Sequence, residues 1–286
     1  MNDINLWALG GTGIIAGLLG SMLGVGGGLI IVPVLTLALH LPIQVAIGSS
    51  LVAIVANVCT AAGIYTKSGL TNIKLGLLLE TTTIPGAIIG GFAAALIAPS
   101  VLSALFGILL IYVGYTMVAR RYFTSEDTTA DGPVTSERTN NNLSQSLTDS
   151  YHDQNIDKVV TYKVRRTTAG LGAGFFAGVL SSLLGVGGGI IKVPVMHLLM
   201  DVPMKAAIAT STFMIALTAA TGAFIYQYQG NLQPFVIAPL VIGIVIGSRI
   251  GVELTKRTGG VWLRRIFGIF MFLVAILMFL KTVNLI

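Results

Sequence analysis

The chain has 286 residues, of which 54% are hydrophobic and only 10% charged, and its mean hydropathy is +0.88. A soluble domain carries about 25% charged residues, so this composition excludes a cytosolic enzyme, a secreted domain and a disordered chain. The net charge is +6, but the basic residues sit at the ends of apolar runs, which the positive-inside rule explains better than nucleic-acid binding does.

The first five residues, Met1-Asn2-Asp3-Ile4-Asn5, lack the basic stretch of a removable signal peptide. Apolar runs then follow at 6–39, 43–66, 75–97, 100–120, 167–199, 205–228, 234–255 and 261–281. A span needs about 20 apolar residues, so the second, third, fourth, sixth, seventh and eighth runs each suit one crossing. The first and fifth are longer, and the same five residues, Gly-Val-Gly-Gly-Gly, interrupt both. Residues 124–163 are polar and hold seven of the eleven acids. They read as a solvated, disordered cytoplasmic linker between a first membrane repeat, 1–123, and a second, 164–286.

The repeats align without gaps at a shift of 161. Gly24 to Gly28 fall on Gly185 to Gly189, Val32-Pro33-Val34 on Val193-Pro194-Val195, and Pro42 on Pro203. Between 16 and 46, 17 of 31 positions are identical, which marks an internal duplication. Charge gives the relative orientation. The loop after the second run carries Lys67 and Lys74, while Ala98-Pro99-Ser100 after the third carries none. In the second half the order reverses: Gln227 to Gln233 is uncharged, and Lys256, Arg257, Arg264 and Arg265 follow the seventh run. If basic loops stay inside, the repeats are inverted. The fifth run then makes no net crossing and folds back at its glycines, as does the first, leaving both termini outside. Lys281 mildly opposes that placement.

The paired glycine breaks are the most informative feature. In a bilayer every backbone polar group needs a partner, so a helix breaks only where it faces protein or a water-filled cavity. A helix restarting there directs its N–H groups and positive dipole end at the site, and inverted repeats with broken helices put a substrate near the midplane. Gly26, Gly27, Gly28, Gly187, Gly188 and Gly189 are therefore expected to bind an anion; tight helix packing is the competing explanation. Ser49, Ser50, Thr210 and Ser211, matched by the repeat, either donate to the same anion or bond their own helix carbonyls. Asn57 and Thr218 also match, as pore lining or as helix–helix contacts.

Three of the charges within the runs, Lys192, Arg249 and Glu80, are singled out, because such charges are functional hypotheses by default. Lys192, three residues past Gly189, adds positive charge for an anion; its counterpart is Ile31. Arg249 is either a gating residue or half of a helical pair with Glu253. Glu80 snorkels, counters a buried cation or relays a proton. The lone cysteine, Cys59, and the scattered His40, His152 and His197 compose no metal motif, and no cofactor is expected.

With Gly-Leu-Leu-Gly-Ser-Met-Leu-Gly-Val-Gly-Gly-Gly-Leu-Ile-Ile-Val-Pro at 17–33 and Leu-Leu-Gly-Val-Gly-Gly-Gly-Ile-Ile-Lys-Val-Pro at 183–194, the sequence resembles the TauE/SafE family of sulfite and organosulfonate exporters. The resemblance covers both halves and leaves out 124–163. It implies a multi-pass plasma-membrane protein that moves sulfite, thiosulfate, sulfoacetate or a related sulfur anion, and it points to both glycine breaks, Pro33, Pro194 and the Ser/Thr pairs. The expectation is an all-α polytopic membrane protein of two inverted repeats, each a re-entrant hairpin plus three transmembrane helices. It is expected to export a small sulfur oxyanion by alternating access, with protons as the coupling ion and no enzymatic activity. An uptake permease or channel for another small ion, or a non-transporting assembly factor, are the rivals.

Overall fold

The computed structural model describes residues 6–23, 26–67, 69–119, 149–153, 158–257 and 261–282. The expected linker at 124–148 and 154–157, both termini, and Gly24 and Val25 lie outside the described residues. Ten helices are described, with one two-stranded sheet. The first half contains α1 (Leu6–Leu23), α2 (Gly28–Pro33), α3 (Ile43–Lys67), α4 (Ile73–Leu96) and α5 (Pro99–Ala119). The second contains α6 (Thr167–Leu184), α7 (Gly189–Pro194), α8 (Met204–Tyr228), α9 (Pro234–Arg257) and α10 (Val261–Thr282).

Among the described residues, six helices are long and apolar enough to cross a membrane: they contain Ile43–Ala61, Ile73–Leu96, Pro99–Thr116, Thr167–Leu184, Met204–Tyr228 and Pro234–Gly251. The outer surface is apolar as well. Trp7, Leu96 and Phe224 are 90%, 89% and 76% exposed, an arrangement that water penalises and lipid accepts. The protein is a multi-pass membrane protein.

Each half opens with a long helix, a glycine break and a short return leg. Proline lacks the N–H for the helical ladder, and after Pro33 and Pro194 the legs widen into π turns at Val34–Ala38 and Val195–Leu199. There Leu39 N donates to Val34 O (3.3 Å) and Met200 N to Val195 O (3.2 Å). His40 and Asp201, themselves repeat partners, then take left-handed φ values of 50° and 56° and turn the chain into the next helix. The fifth run folds back on itself: Arg165 N, just before α6, donates to Met200 O at the end of the return leg (3.1 Å). Both ends of that run lie together.

Helix pairing is exchanged between the halves. Helix α1 packs along α9, and its counterpart α6 packs along α4, the counterpart of α9. Equivalent helices also meet each other, α3 with α8 and α5 with α10. Helices α3 and α8 run antiparallel, since Gly48 faces Tyr226 while Leu51 faces Gly222. Small residues permit the closest seams. A side chain at Gly17 would strike the Ile244 carbonyl, and one at Gly178, its repeat partner, the Thr83 carbonyl.

The segment expected to be an unstructured linker departs from that expectation near its end. Strands β1 (Asp149–Asp153) and β2 (Lys158–Tyr162) pair antiparallel, with Asp149 opposite Tyr162. Val160, Tyr162 and Val164 alternate onto one face and pack against a core that includes Leu75, Leu79 and Met200. This period-2 burial is the physical reason the segment orders despite its polar composition.

Candidate functional site

The glycine breaks meet. Gly26 and Gly27 adopt φ of 84° and 89°, and their repeat partners Gly187 and Gly188 adopt 78° and 75°, a left-handed region in which only glycine is comfortable. Ile54 of α3 touches the positions of Gly26, Gly28 and Gly187, and Ile215, its counterpart on α8, touches Gly187. A side chain at Gly28 would strike the carbonyl of Gly185. The interval between the breaks is thus filled in this conformation by a backbone carbonyl, Ser50 and Ile54. Gly27 and Gly188 each cap a return leg, so Gly28 and Gly189 open helices α2 and α7.

The four hydroxyl residues divide by role. Ser50 Oγ donates to Gly185 O (2.8 Å), tying the start of α3 to the second break. Thr210 Oγ1 accepts from Asn72 N (3.0 Å), where Asn72 caps α4 with its side chain. Ser49 and Ser211 are fully buried, and their hydroxyls have no partner among the described residues. Two further buried hydroxyls, Ser181 and Ser182 on α6, are also without partners; Ser181 lies against Gly188 at the second break.

Lys192 and Glu80 form one cluster. Lys192 Nζ lies 2.8 Å from Glu80 Oε1, and both side chains are almost completely buried. Thr218 of α8 stands between them. Its Oγ1 accepts from Lys192 Nζ (2.6 Å) and lies 2.9 and 3.1 Å from the two Glu80 oxygens. An ammonium has three N–H donors. Two are used here, and the third has no partner among the described residues. The site draws on three helices: Lys192 lies in the return leg α7, one turn past Gly188, whose carbonyl accepts its backbone N–H (3.0 Å). Glu80 comes from α4 and Thr218 from the middle of α8. Arg249 takes no part and lies on an exposed face of α9.

The repeat counterparts of Lys192, Glu80 and Thr218 are Ile31, Val241 and Asn57, so the charged cluster is single. Asn57, buried and with neither amide atom partnered among the described residues, lines a small cavity beside Gly20, Ser21, Gly26 and Thr212.

Residues 9–278 match the family described as Sulfite exporter TauE/SafE. The chain belongs to that family. Among curated relatives of this TauE/SafE chain is the probable membrane transporter protein YunE of Bacillus subtilis, 29% identical over 252 residues and 86% of each chain. A probable membrane transporter protein of Haemophilus influenzae is 26% identical over 94% of this chain and 96% of its own length. One from Methanocaldococcus jannaschii is 26% identical over 86% and 84%. No solved structure matches. The family is one of membrane transporters, and the breaks that carried the resemblance meet each other between the two halves.

The sequence singled out Lys192 and Glu80 separately, and the fold joins them. Thr218 was visible only as the repeat partner of Asn57. Ser181 and Ser182 gave no signal beyond standing just ahead of the second break.

Proposed function

We propose that this TauE/SafE-family protein is a secondary transporter that exports a small sulfur-containing oxyanion, such as sulfite, thiosulfate or an organosulfonate, across the plasma membrane by alternating access. The observation that carries the reading is the buried ammonium of Lys192 beside the second glycine break, with one N–H that has no partner among the described residues. An oxyanion is rich in acceptors and meets donors there: the Lys192 N–H and the Ser181 hydroxyl, which has no partner among the described residues. Ser49 and Ser211 supply further donors as the halves move. The antiparallel pairing of α3 with α8 and the exchanged pairing of α1 with α9 and α6 with α4 support inverted repeats rocking about the crossing at Ile54 and Ile215. Labelled sulfite, thiosulfate and sulfoacetate flux into proteoliposomes tests the reading. Saturable movement of one of these is expected; movement of none, with the protein folded, would refute it.

A further inference from the structure

We infer that Glu80 is the proton site of this transporter, and that one proton moves with each anion bound at Lys192. The inference rests on the oxyanion reading and adds the coupling ion and its stoichiometry.

The argument is one of charge. In the observed arrangement Glu80 and Lys192 neutralise each other at 2.8 Å, out of contact with solvent. A buried net charge in a membrane protein is costly, whichever sign it has. Suppose an anion reaches the free N–H of Lys192 while Glu80 stays ionised. Two negative groups then share one ammonium, and the site carries one net negative charge. Suppose instead that Glu80 takes a proton with no anion present. Lys192 is then an uncompensated buried cation. With Lys192 ionised, only two states are neutral: the empty ion pair, and the loaded site in which a protonated Glu80 lies beside Lys192 paired with a monovalent anion. The step balances, because one proton and one anion enter together and the Glu80 carboxylate becomes a carboxyl. No bond other than that O–H is made or broken. Each ligand stabilises the other's binding by the same factor.

Thr218 suits this exchange. Its hydroxyl lies within hydrogen-bond distance of both Glu80 oxygens and also of its own helix carbonyl, Met214 O (3.1 Å). Its proton therefore has an alternative acceptor when Glu80 gains a hydrogen, and its oxygen can then accept from the new carboxyl. Of the ionisable neighbours, Tyr162 of β2 packs against the same core as Leu79, and its phenol oxygen accepts from Asn72 Nδ2 (3.3 Å). Helix α6 carries no ionisable side chain, α7 carries only Lys192, and α4 itself adds only Lys74 near its start. On α8 the ionisable groups are Lys205 at the beginning and Tyr226 and Tyr228 at the end. His197, on the π turn, is engaged with Val202 O (2.9 Å).

The test uses the full chain in liposomes loaded with a pH-sensitive dye, with methanesulfonate as the anion, because it is monovalent and carries no proton of its own near neutrality. Wild-type protein is expected to move one proton per methanesulfonate in the same direction. Glu80→Gln is expected to abolish the proton signal and to make methanesulfonate binding independent of pH between pH 5.5 and 7.5. Methanesulfonate flux without proton movement in the wild type would overturn the inference and leave the oxyanion reading standing, as would proton movement that persists in Glu80→Gln. If none of methanesulfonate, sulfite and thiosulfate moves through folded protein, the oxyanion reading fails and the inference fails with it. A wild-type ratio other than one overturns the inference even if the variant does not fold.

Discussion

Lys192 Nζ and Glu80 Oε1, 112 residues apart in sequence, lie 2.8 Å from each other inside the helical bundle. Neither has a charged counterpart in the other half, so the duplicated fold has become chemically one-sided. The pair sits one turn from a glycine break whose geometry is shared by both halves. The scaffold is therefore symmetric while the charge it presents is single.

Breaking the pair should cost more than deleting it. Lys192→Met or Glu80→Met alone leaves one buried charge without its partner, a loss of about 3–5 kcal/mol. The double substitution removes both charges and should recover most of that, since apolar replacement of a buried pair is commonly neutral. Thermal unfolding in detergent of the two single variants and the double variant measures the coupling. Additive losses would mean that the two groups act independently.

Lys192→Ala should also weaken anion affinity at least several-fold, because it removes the buried cation at the second break. Equilibrium binding of labelled thiosulfate to purified protein checks this. Unchanged affinity in a folded variant would take Lys192 out of the site.

Gly27 and Gly188 are repeat partners with similar φ, yet their surroundings differ. A Cβ at Gly27 would lie 2.7 Å from the Ala16 carbonyl oxygen, whereas one at Gly188 would lie 3.1 Å from that of Ala177. Both substitutions to alanine carry the left-handed penalty of about 1–2 kcal/mol, and Gly27→Ala adds a backbone clash. Gly27→Ala should therefore lower the unfolding temperature more than Gly188→Ala does, while Gly188→Val should block transport in protein that still folds.

Much of this architecture is legible in the sequence because it depends on residues with few substitutes. A left-handed break demands glycine, so Gly26, Gly27, Gly187 and Gly188 stand out in any apolar run. The helical return after each break needs a proline-tolerant leg, and Val-Pro appears in both. The charge cluster was half legible. An ionised group in an apolar run is conspicuous alone, but its partner is chosen by tertiary packing of α4, α7 and α8. Thr218 was legible only as pore lining or a helix–helix contact, because a threonine in an apolar helix ordinarily bonds its own backbone, as Thr212 does to Ile208 O (2.8 Å). The hairpin at 149–162 stayed hidden because a polar composition obscured the alternation of Val160, Tyr162 and Val164.

The hairpin gives a pH prediction outside the membrane. Tyr162 OH accepts from Asn72 Nδ2 (3.3 Å), and burial pushes its phenol up from 10.0 to about 12. The undocked hairpin therefore releases its proton from about pH 10, while the docked one keeps it. By linkage, stability present below pH 10 falls as pH rises from 10 towards 12. Phenolate absorbance against pH should show a late-titrating component that is lost in Tyr162→Phe. A Tyr162→Phe curve identical to that of the wild type would show that the docked phenol is not what titrates late.

The glycine seams make the sharpest contrast available in one protein. Gly247 on α9 faces the backbone of Ile14 on α1, and an added side chain would strike the Ile14 carbonyl. Gly172 on α6 has nothing within 4 Å. Gly247→Ala must push α1 away from α9 or distort one of them, and overpacking of this kind costs about 1–3 kcal/mol. Gly172→Ala meets open space and gains the helix preference of alanine over glycine, about 0.5–1 kcal/mol. The same chemical change should therefore lower the unfolding temperature at 247 and leave it unchanged or raised at 172. Because the α1–α9 seam joins one half to the other, Gly247→Ala should also reduce flux in proteoliposomes, while Gly172→Ala leaves it intact. Equal stability of the two variants would mean that α1 and α9 are not packed backbone to backbone, and the exchanged pairing of the halves would lose its closest contact.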